Sequence, residues 1–354
     1  MSAPTPPTRR VAVIGAGIVG VRAIRELLSP LGGLGAGPAP TRPILVTRRP
    51  DRADQLRSSF GDAVEVRTGD RALPHDVGTV VVTRASDDQL DVVTEQLRHG
   101  RDVVSTADAP DVVSSLLGLH DTAVRSDAAL VVGAAMSPGW SCLLAAHAAT
   151  LFDRVDELHV ARDGAAGPAC ARQRLRALRG TALDRRDGAW VRRAGFSGRE
   201  LVWFPDPIGG RDCYRADLAE PLVLVPAFPT AARVTARLAA TRRDRALAPF
   251  PVLLPPPTEG GPGAIRVEVR GVRDGERHTA IYGALDRPAV AAAAVAAVAA
   301  LRVLGGDRRP GAHGLASVGG ALDMLRELAR RGVRAAAFEG AHSLDVDDMG
   351  PSRG

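Results

Sequence analysis

The feature that most constrains the fold of this chain is a glycine-rich turn near its N-terminus, Gly15-Ala16-Gly17-Ile18-Val19-Gly20. It follows an apolar run at residues 11–14, typical of a buried strand, and opens a helical segment at residues 19–28. In such a strand–turn–helix unit the first glycine allows the tight turn, the second lets the backbone approach a pyrophosphate, and the third lets the helix pack on the strand. The helix N-terminus adds a positive dipole for phosphates. The pattern predicts a dinucleotide-binding loop. The alternative is a glycine-rich turn that binds no ligand.

The alternation of strands and helices continues to about residue 139. Continuous apolar strands separated by amphipathic helices indicate a parallel sheet covered on both faces, the doubly wound Rossmann-type α/β architecture. The predicted strands are residues 11–14, 44–46, 64–66, 79–83, 102–105 and 129–133. The predicted helices are residues 19–28, 52–60, 87–99 and 112–124.

Two arginines follow the second predicted strand, where NAD-binding sites usually carry an acidic residue for the ribose 2′-hydroxyl. This chain has Thr47-Arg48-Arg49 there, with no carboxylate before Asp51. A guanidinium fork suits a 2′-phosphate. We therefore predict NADP as the cofactor, with NAD the less favoured choice. In the competing interpretation Arg48 and Arg49 are surface charges of an arginine-rich protein and the cofactor is NAD.

Beyond residue 139 short strands alternate with Gly- and Pro-rich loops, which predicts a second α+β domain. Candidate strands lie at residues 157–161, 222–225 and 264–270, and helices at 287–304 and 317–331 are expected to pack back onto the first domain. The expected organisation is a disordered N-terminus at 1–8, an NADP-binding Rossmann domain at 9–140, an α+β domain for substrate binding or dimerisation at 141–286, C-terminal helices at 287–333 and a flexible tail at 334–354.

Loops at the carboxyl ends of parallel strands face the cofactor crevice in this architecture. Thr83 and Arg84 follow the fourth predicted strand, and Ser105 and Thr106 end the fifth. Asp108 comes next and is a candidate proton donor, with a helix N-cap as the slightly favoured alternative. The sixth strand is followed by Met136-Ser137-Pro138-Gly139-Trp140.

The chain resembles the saccharopine dehydrogenase-like group of NAD(P)-binding oxidoreductases over residues 9–150. The resemblance rests on the glycine-rich turn, on Val103-Val104-Ser105-Thr106, and on Val132-Gly133 leading into Ser137-Pro138-Gly139. It implies that Gly15, Gly17 and Ile18 meet the pyrophosphate, Arg48 the adenosine phosphate, Ser105 and Thr106 the nicotinamide, and Ser137, Pro138 and Gly139 the junction with the substrate.

The chain departs from that family's pattern at two places. It has Ser137 where saccharopine reductases carry an aspartate, and Thr106-Ala107 where they carry a tyrosine. The resemblance therefore implies a dinucleotide cofactor but does not imply saccharopine as the substrate.

Residues 190–214 concentrate the aromatic side chains of an aromatic-poor chain. Asp206, Arg211, Asp212 and Arg215 lie among them or beside them, and together they predict a clamp for a substrate with carboxylate and amino groups. The alternative is a small core of the second domain or a dimer surface. The aromatic residues are Trp190, Phe196, Trp203, Phe204 and Tyr214.

The amino-acid composition excludes several catalytic groups and disfavours several kinds of partner. The chain has 46 basic and 40 acidic residues, a net charge of +6, and no lysine or asparagine, so Schiff-base and P-loop lysines are excluded. Interleaved charges and sparse aromatics disfavour nucleic acid as a partner. Three widely spaced cysteines and the lack of a signal-like or bilayer-length apolar run predict a cytoplasmic protein with no membrane partner. The scattered histidines predict no metal site.

We expect an NADP-dependent oxidoreductase acting at a C–N or C–OH bond of a small polar, amino-acid-like metabolite. The candidate proton donors are Asp108, Asp206, Asp212 and Tyr214. The competing hypothesis is a dinucleotide-binding sensor or partner protein without turnover. A homodimer formed through the sheet of the second domain is expected by analogy alone.

Overall fold

Two β-sheets and the helices around them form the fold in the computed structural model, which describes residues 10–29, 42–69, 73–84, 89–247 and 260–337. The predicted disordered N-terminus at 1–8 lies outside the described residues, as does the tail from residue 338. Among the described helices none is long and apolar enough to cross a bilayer.

The first sheet is parallel throughout. In chain order its first six strands are β1 Arg10–Ile14, β2 Ile44–Thr47, β3 Glu65–Thr68, β4 Val77–Val82, β5 Asp102–Ser105 and β6 Ala129–Val132. Their spatial order is β6-β5-β4-β1-β2-β3. Every residue of β2, β4, β5 and β6 is buried, as expected of strands covered by helices on both faces. The predicted doubly wound Rossmann-type sheet is confirmed.

The helices of this domain are α1 Ile18–Leu28, α2 Pro50–Phe60, α3 Gln89–Arg98, α4 Pro110–Leu117 and α5 His120–Arg125. The single helix predicted at residues 112–124 is thus two helices. The chain breaks at Gly118, whose amide donates to the carbonyl of Ser114, and glycine is a poor helix former.

The second sheet is mixed. Its strands are β7 Arg154–Asp163, β8 Thr181–Arg186, β9 Ala189–Ala194, β10 Glu200–Trp203, β11 Gly210–Arg215, β12 Arg233–Ala239, β13 Gly263–Arg273 and β14 Glu276–Asp286. The order is β10-β11-β12-β7-β13-β14, with β8 against β12 and β9 against β8. Only the pairing of β12 with β7 is parallel among these described strands.

One face of the second sheet packs on the helix α6, Trp140–Ala149. The side chains on this face of the sheet include Leu158 and Val160 of β7 and Val267 of β13. They belong to the same hydrophobic core as the buried residues of the first domain. The two domains therefore share one continuous hydrophobic core. The further helices of this region are α7 Pro168–Arg179, α8 Glu220–Leu224 and α9 Arg242–Leu247.

The prediction of a strand at residues 222–225 is wrong, because these residues belong to α8 and its C-terminal boundary. A short apolar run is compatible with a strand or with a buried helix. Pro221 decides for the helix here, since its missing amide costs no hydrogen bond in the first helical turn.

The C-terminal segment packs back onto the first domain, as predicted. The alanine-rich helix α10, Pro288–Leu304, lies against α1. In α11, Ala321–Arg330, Glu327 accepts a hydrogen bond from the buried guanidinium of Arg331 at 2.9 Å, and the same arginine binds Glu26 of α1 at 2.9 Å. These bonds fix α11 to the first domain.

Two strands were not predicted in this segment. β15, Gly311–Gly314, adds a seventh parallel strand beside β6, and β16, Ala335–Ala337, pairs with β14. The predicted helical segment at 287–333 therefore contains a strand, and the tail predicted to be flexible from 334 begins with one. Glycine and alanine have low β propensity, so both segments become strands because they pair with the edge of an existing sheet.

Candidate active site

The glycine-rich turn links β1 to α1 at the carboxyl edge of the first sheet. Gly15 has φ +120°, and a Cβ on Gly20 would lie 1.8 Å from the carbonyl oxygen of Gly15. A Cβ on Gly17 would meet no described atom within 4 Å, so this position faces open space. The hydroxyl of Thr83 donates to the carbonyl of Gly15 at 2.9 Å and fixes the turn.

The N-terminus of α1 completes this cradle. Among the described residues no side chain caps the helix at Gly17, so its first amides are open to solvent or to a ligand. Uncapped amides, the dipole of an 11-residue helix and open space above Gly17 are what a pyrophosphate requires. The residues present therefore fit a dinucleotide.

A cavity of about 550 Å³ opens from this cradle toward the second domain. One wall consists of Gly17, Ile18 and Val19 with the loops after β4, β5 and β6. The opposite wall consists of the end of β7, the following glycine-rich loop and the first turns of α7. The polar and charged residues that line it are Thr83, Arg84, Gln89, Thr106, Asp108, Ser137, Arg162, Asp163, Cys170, Arg172 and Gln173.

Asp108 is the carboxylate on the first-domain side of the cavity. Its side chain is 28% exposed, and its Oδ2 lies 3.7 Å from Nη1 of Arg162 on β7. The same Nη1 donates to the carbonyl of Ser137 at 2.5 Å. Burial raises the pKa of Asp108 above its ordinary value, Arg162 opposes the rise, and the nearby Glu220 adds to it. Asp108 therefore holds a proton more readily than an ordinary aspartate.

Cys170 of α7 stands beside this carboxyl, with its Sγ 4.0 Å from Oδ2 of Asp108. Burial, with a smaller contribution from Asp108, raises the pKa of the thiol to about 11. The thiol is therefore neutral and poorly nucleophilic near neutral pH.

The structure brings many of the predicted site residues to the cavity. Thr83, Arg84, Thr106, Asp108 and Ser137 line it together with the glycine turn. Ser105 does not, because it is fully buried and its hydroxyl donates to Gln89 at 2.7 Å. Pro138 and Gly139 follow Ser137 in the chain but are not among the residues that line the cavity, and Gly139 has φ +133°.

Arg48 and Arg49 are exposed directly after β2, outside the cavity lining. Arg49 forms a close ion pair with Asp51. Its hydrogen bond with Asp51 raises the pKa of Arg49 and lowers that of Asp51. The placement leaves Arg48 and Arg49 at the end of the sheet where the adenosine half of a dinucleotide lies in this architecture.

The other three predicted proton donors lie away from the cavity, on or beside the hairpin of β10 and β11 at one edge of the second sheet. Tyr214 is 4% exposed and packs edge-on against Phe196. Asp212 pairs with Arg199 at 2.9 Å, and Asp206 is exposed in the hairpin turn. The three side chains therefore do not converge on one binding site.

The predicted aromatic wall is wrong. Trp190 and Trp203 are exposed, whereas Phe204 and Tyr214 are buried in two different small clusters. Strand alternation explains the split, because neighbouring residues of β10 and β11 point to opposite faces. Of the predicted clamp, Arg211 alone reaches the cavity's edge, 3.8 Å from Asp163.

Sequence reasoning missed the residues of the second wall. Arg162, Asp163, Arg172 and Gln173 line the cavity, and Glu220 lies behind Ser137. A signal was present, since Arg162-Asp163 ends a long alternating strand and Gly167-Pro168 opens the next helix. Among the described residues no group of three His, Cys, Asp or Glu side chains is arranged to hold a metal ion.

Comparison with protein families and with curated proteins found no match for this chain. Solved structures do match. Saccharopine dehydrogenase (L-Glu forming) from Saccharomyces cerevisiae aligns with a TM-score of 0.66 and 14% identity, over 93% of this chain and 100% of that one. The C. glutamicum DAP dehydrogenase in complex with DAP aligns with a TM-score of 0.50 and 16% identity, over 92% and 100%. The predicted fold class is confirmed, and the fold is similar to that of the yeast saccharopine dehydrogenase.

Proposed function

We propose that this chain is an NADP-dependent oxidoreductase that transfers hydride at a C–N or C–OH bond of a small polar, amino-acid-like metabolite. The observation that carries the proposal is that the glycine cradle and the partly exposed Asp108 open into the same cavity. A dinucleotide held in the cradle extends toward that cavity in this architecture. The two solved neighbours, named as dehydrogenases, support the same class of reaction.

The cofactor would be held by the backbone of the first domain. Gly17 and Ile18 would meet the pyrophosphate, and Arg48 with Arg49 the 2′-phosphate. Thr106 and Ser137 would flank the nicotinamide, which supplies or accepts the hydride when bound. The protein's part is to orient the substrate carbon, to exclude water and to move a proton.

Asp108 is the residue that fits the proton-transfer role. Reduction of a C=N or C=O bond requires a proton at the heteroatom, and the raised pKa of Asp108 favours the protonated carboxyl. In the oxidative direction the same group accepts that proton. No lysine exists in the chain to compete for the role.

The second wall fits the polar ends of an amino-acid-like substrate. Arg172 is exposed at the mouth of the cavity and engages no described ion-pair partner, and Gln173 lies beside it. Arg172 suits a carboxylate, whereas Asp163 suits an ammonium group.

The test begins with the cofactor. Titration of the purified protein with NADPH and NADH, followed by fluorescence, is expected to show binding of both, with NADPH at least about tenfold tighter. A panel of amino and keto acids should then yield substrate-dependent oxidation of NADPH. Binding without turnover across the panel would favour the sensor function, and binding of neither dinucleotide would refute the proposal.

A further inference from the structure

Gln89, the first residue of α3, is a buried glutamine at the edge of the cavity. Its Nε2 donates to the carbonyl oxygen of Arg84 at 2.6 Å, and its Oε1 accepts a hydrogen bond from the hydroxyl of Ser105 at 2.7 Å. Only the amide nitrogen can donate and only the amide oxygen can accept, so the two partners fix the orientation of the side chain. Gln89 therefore joins the residues that follow β4 to the end of β5.

Ser105 extends this connection along the loop that follows β5. Its hydroxyl hydrogen is used by Gln89, and its oxygen accepts a hydrogen bond from the amide of Ala107 at 3.1 Å. A serine hydroxyl that binds the amide two residues further on closes a tight turn of the backbone. This turn sets the direction of the chain immediately before Asp108.

The other end of the hydrogen-bond chain reaches the glycine cradle. Arg84 directly follows Thr83, whose hydroxyl donates to the carbonyl of Gly15 at 2.9 Å. Loops beyond the ends of strands lack regular backbone pairing, so side chains have to supply the partners of their backbone groups. Through Gln89, the turn that would hold the pyrophosphate is thus linked to the loop that carries the proposed proton donor.

We infer that Gln89 is a positioning residue that, through Ser105, sets the place of Asp108 relative to the bound dinucleotide. The inference rests on the proposed function, because it requires Asp108 as the proton donor. Gln89 carries no titratable group, so it cannot itself move the proton. A displacement of about 1 Å at a reacting group can cost about 100-fold in rate. Gln89 is therefore expected to act on kcat rather than on cofactor affinity.

The position of Gln89 requires an amide. Methionine has a similar length but offers neither the donor nor the acceptor, and a carboxylate offers no hydrogen to the carbonyl of Arg84. Loss of the amide also leaves that carbonyl and the buried hydroxyl of Ser105 without their partners, which lowers stability. Stability and positioning must therefore be measured separately.

The first measurement is steady-state kinetics of Gln89→Met in the reductive direction, on the best substrate of the amino- and keto-acid panel. We expect kcat to fall by about 10-fold to 100-fold while NADPH affinity stays within about threefold. The matched control is Gln96→Met, which alters a second buried glutamine of α3, bound to Arg101 outside the cavity lining. It should lower the melting temperature in a similar way but leave kcat within about twofold of the wild type.

A double-mutant cycle tests whether the effect of Gln89 passes through Asp108. In an Asp108→Asn background Gln89→Met has no proton donor left to position, so we expect a further loss in kcat of less than about twofold. A further loss of about tenfold or more, or a kcat of Gln89→Met equal to that of Gln96→Met, would overturn the inference. If Gln89→Met does not fold, Ser105→Ala breaks the same hydrogen-bond chain and should give the same kinetic pattern.

Hydrogen exchange of the Ala107 amide, followed by NMR in the cofactor-free protein, tests the hydrogen-bond chain without turnover. Gln89→Met should speed this exchange by about threefold or more and Ser105→Ala by about tenfold, whereas Gln96→Met should leave it unchanged. Unchanged exchange in Gln89→Met would also overturn the inference. Failure of Asp108→Asn to reduce turnover would instead refute the proposed function, and with it the role that Gln89 has in that function.

Discussion

The glycine turn in the first-domain wall of the cavity offers backbone groups, whereas the opposite wall, from β7 and α7, offers charged and polar side chains beside its own glycine-rich loop. In the first wall Gly17 offers space and amides, and the geometry of the turn depends on Gly15 and Gly20, where a Cβ would collide with neighbouring atoms. In the second wall Arg162, Asp163, Arg172 and Gln173 project from regular elements. Backbone groups suit a ligand that stays the same across many proteins of one fold, such as a cofactor. Substitution of side chains, in contrast, can change which substrate binds without changing the fold.

The largest expected effect is that of Asp108→Asn, which tests whether proton transfer and cofactor binding use different parts of the first wall. We expect turnover in the reductive direction to fall by about 100-fold to 10,000-fold, because the proton donor is lost. NADPH affinity should stay within about twofold, because Asp108 lies beyond the glycine cradle. The measurement is steady-state kinetics on the best substrate of the panel, beside NADPH titration.

The pH dependence carries the same prediction. Asp108 donates only when protonated, and burial raises its pKa. The wild-type reductive rate should therefore fall as pH rises through that raised pKa, and the falling limb should vanish in Asp108→Asn. A variant that retains a third or more of wild-type turnover would remove Asp108 from the reaction.

A matched pair of glycine substitutions tests the backbone wall. Gly20→Ala would place a Cβ 1.8 Å from the Gly15 carbonyl, so we expect loss of about 2 kcal/mol or more in the free energy of unfolding and at least about 100-fold weaker NADPH binding. Gly17→Ala meets no described atom, so stability should hold while NADPH binding weakens about tenfold. Thermal unfolding and fluorescence titration measure both. Equal destabilisation by the two variants would contradict the geometry of the turn.

The contrast between the walls also explains what the sequence could predict. The glycine turn is a local pattern, because three glycines at fixed spacing between a strand and a helix define one conformation. Strands β1, β2, β4 and β6 carry short apolar runs, and their regular alternation with amphipathic helical segments favours strands over buried helices. The first domain and its cofactor loop were therefore predictable from residues close together in the chain.

The second wall could not be predicted in the same way. Arg162 and Cys170 meet Asp108, and Glu220 meets Ser137, only after β7, α7 and α8 have packed against the first domain. Their separation in the chain leaves no local pattern. The aromatic stretch misled for the related reason that strand alternation divides neighbours in sequence between two faces. The missed strand β15 depends on the edge of β6 rather than on its own glycine-rich sequence.

Cofactor choice tests how far the first wall relies on side chains. Arg48→Ala should weaken NADPH binding by about tenfold and leave NADH binding within about twofold, because only NADPH carries the 2′-phosphate. Arg25→Ala, which removes an exposed arginine from α1, is the matched control and should change neither affinity. Titration of both dinucleotides reports the ratio. An unchanged ratio in Arg48→Ala would favour NAD as the cofactor and surface roles for the arginines.

The smallest expected effect concerns Cys170, a reporter that lies in the second wall. Burial raises the pKa of its thiol to about 11, so alkylation by iodoacetamide should be slow at pH 8 and rise about tenfold per pH unit toward pH 10. The charge of Asp108 adds to that rise in the thiol's pKa, so Asp108→Asn should speed alkylation about threefold at a fixed pH.

Saturating NADPH should slow the alkylation of Cys170 in both proteins, because the cradle and Cys170 share one cavity. Cys170→Ser should remove the label, since Cys142 and Cys213 are buried and the pKa of each is raised to about 12. An alkylation rate that changes neither with NADPH nor with Asp108→Asn would contradict a cavity shared by the two walls.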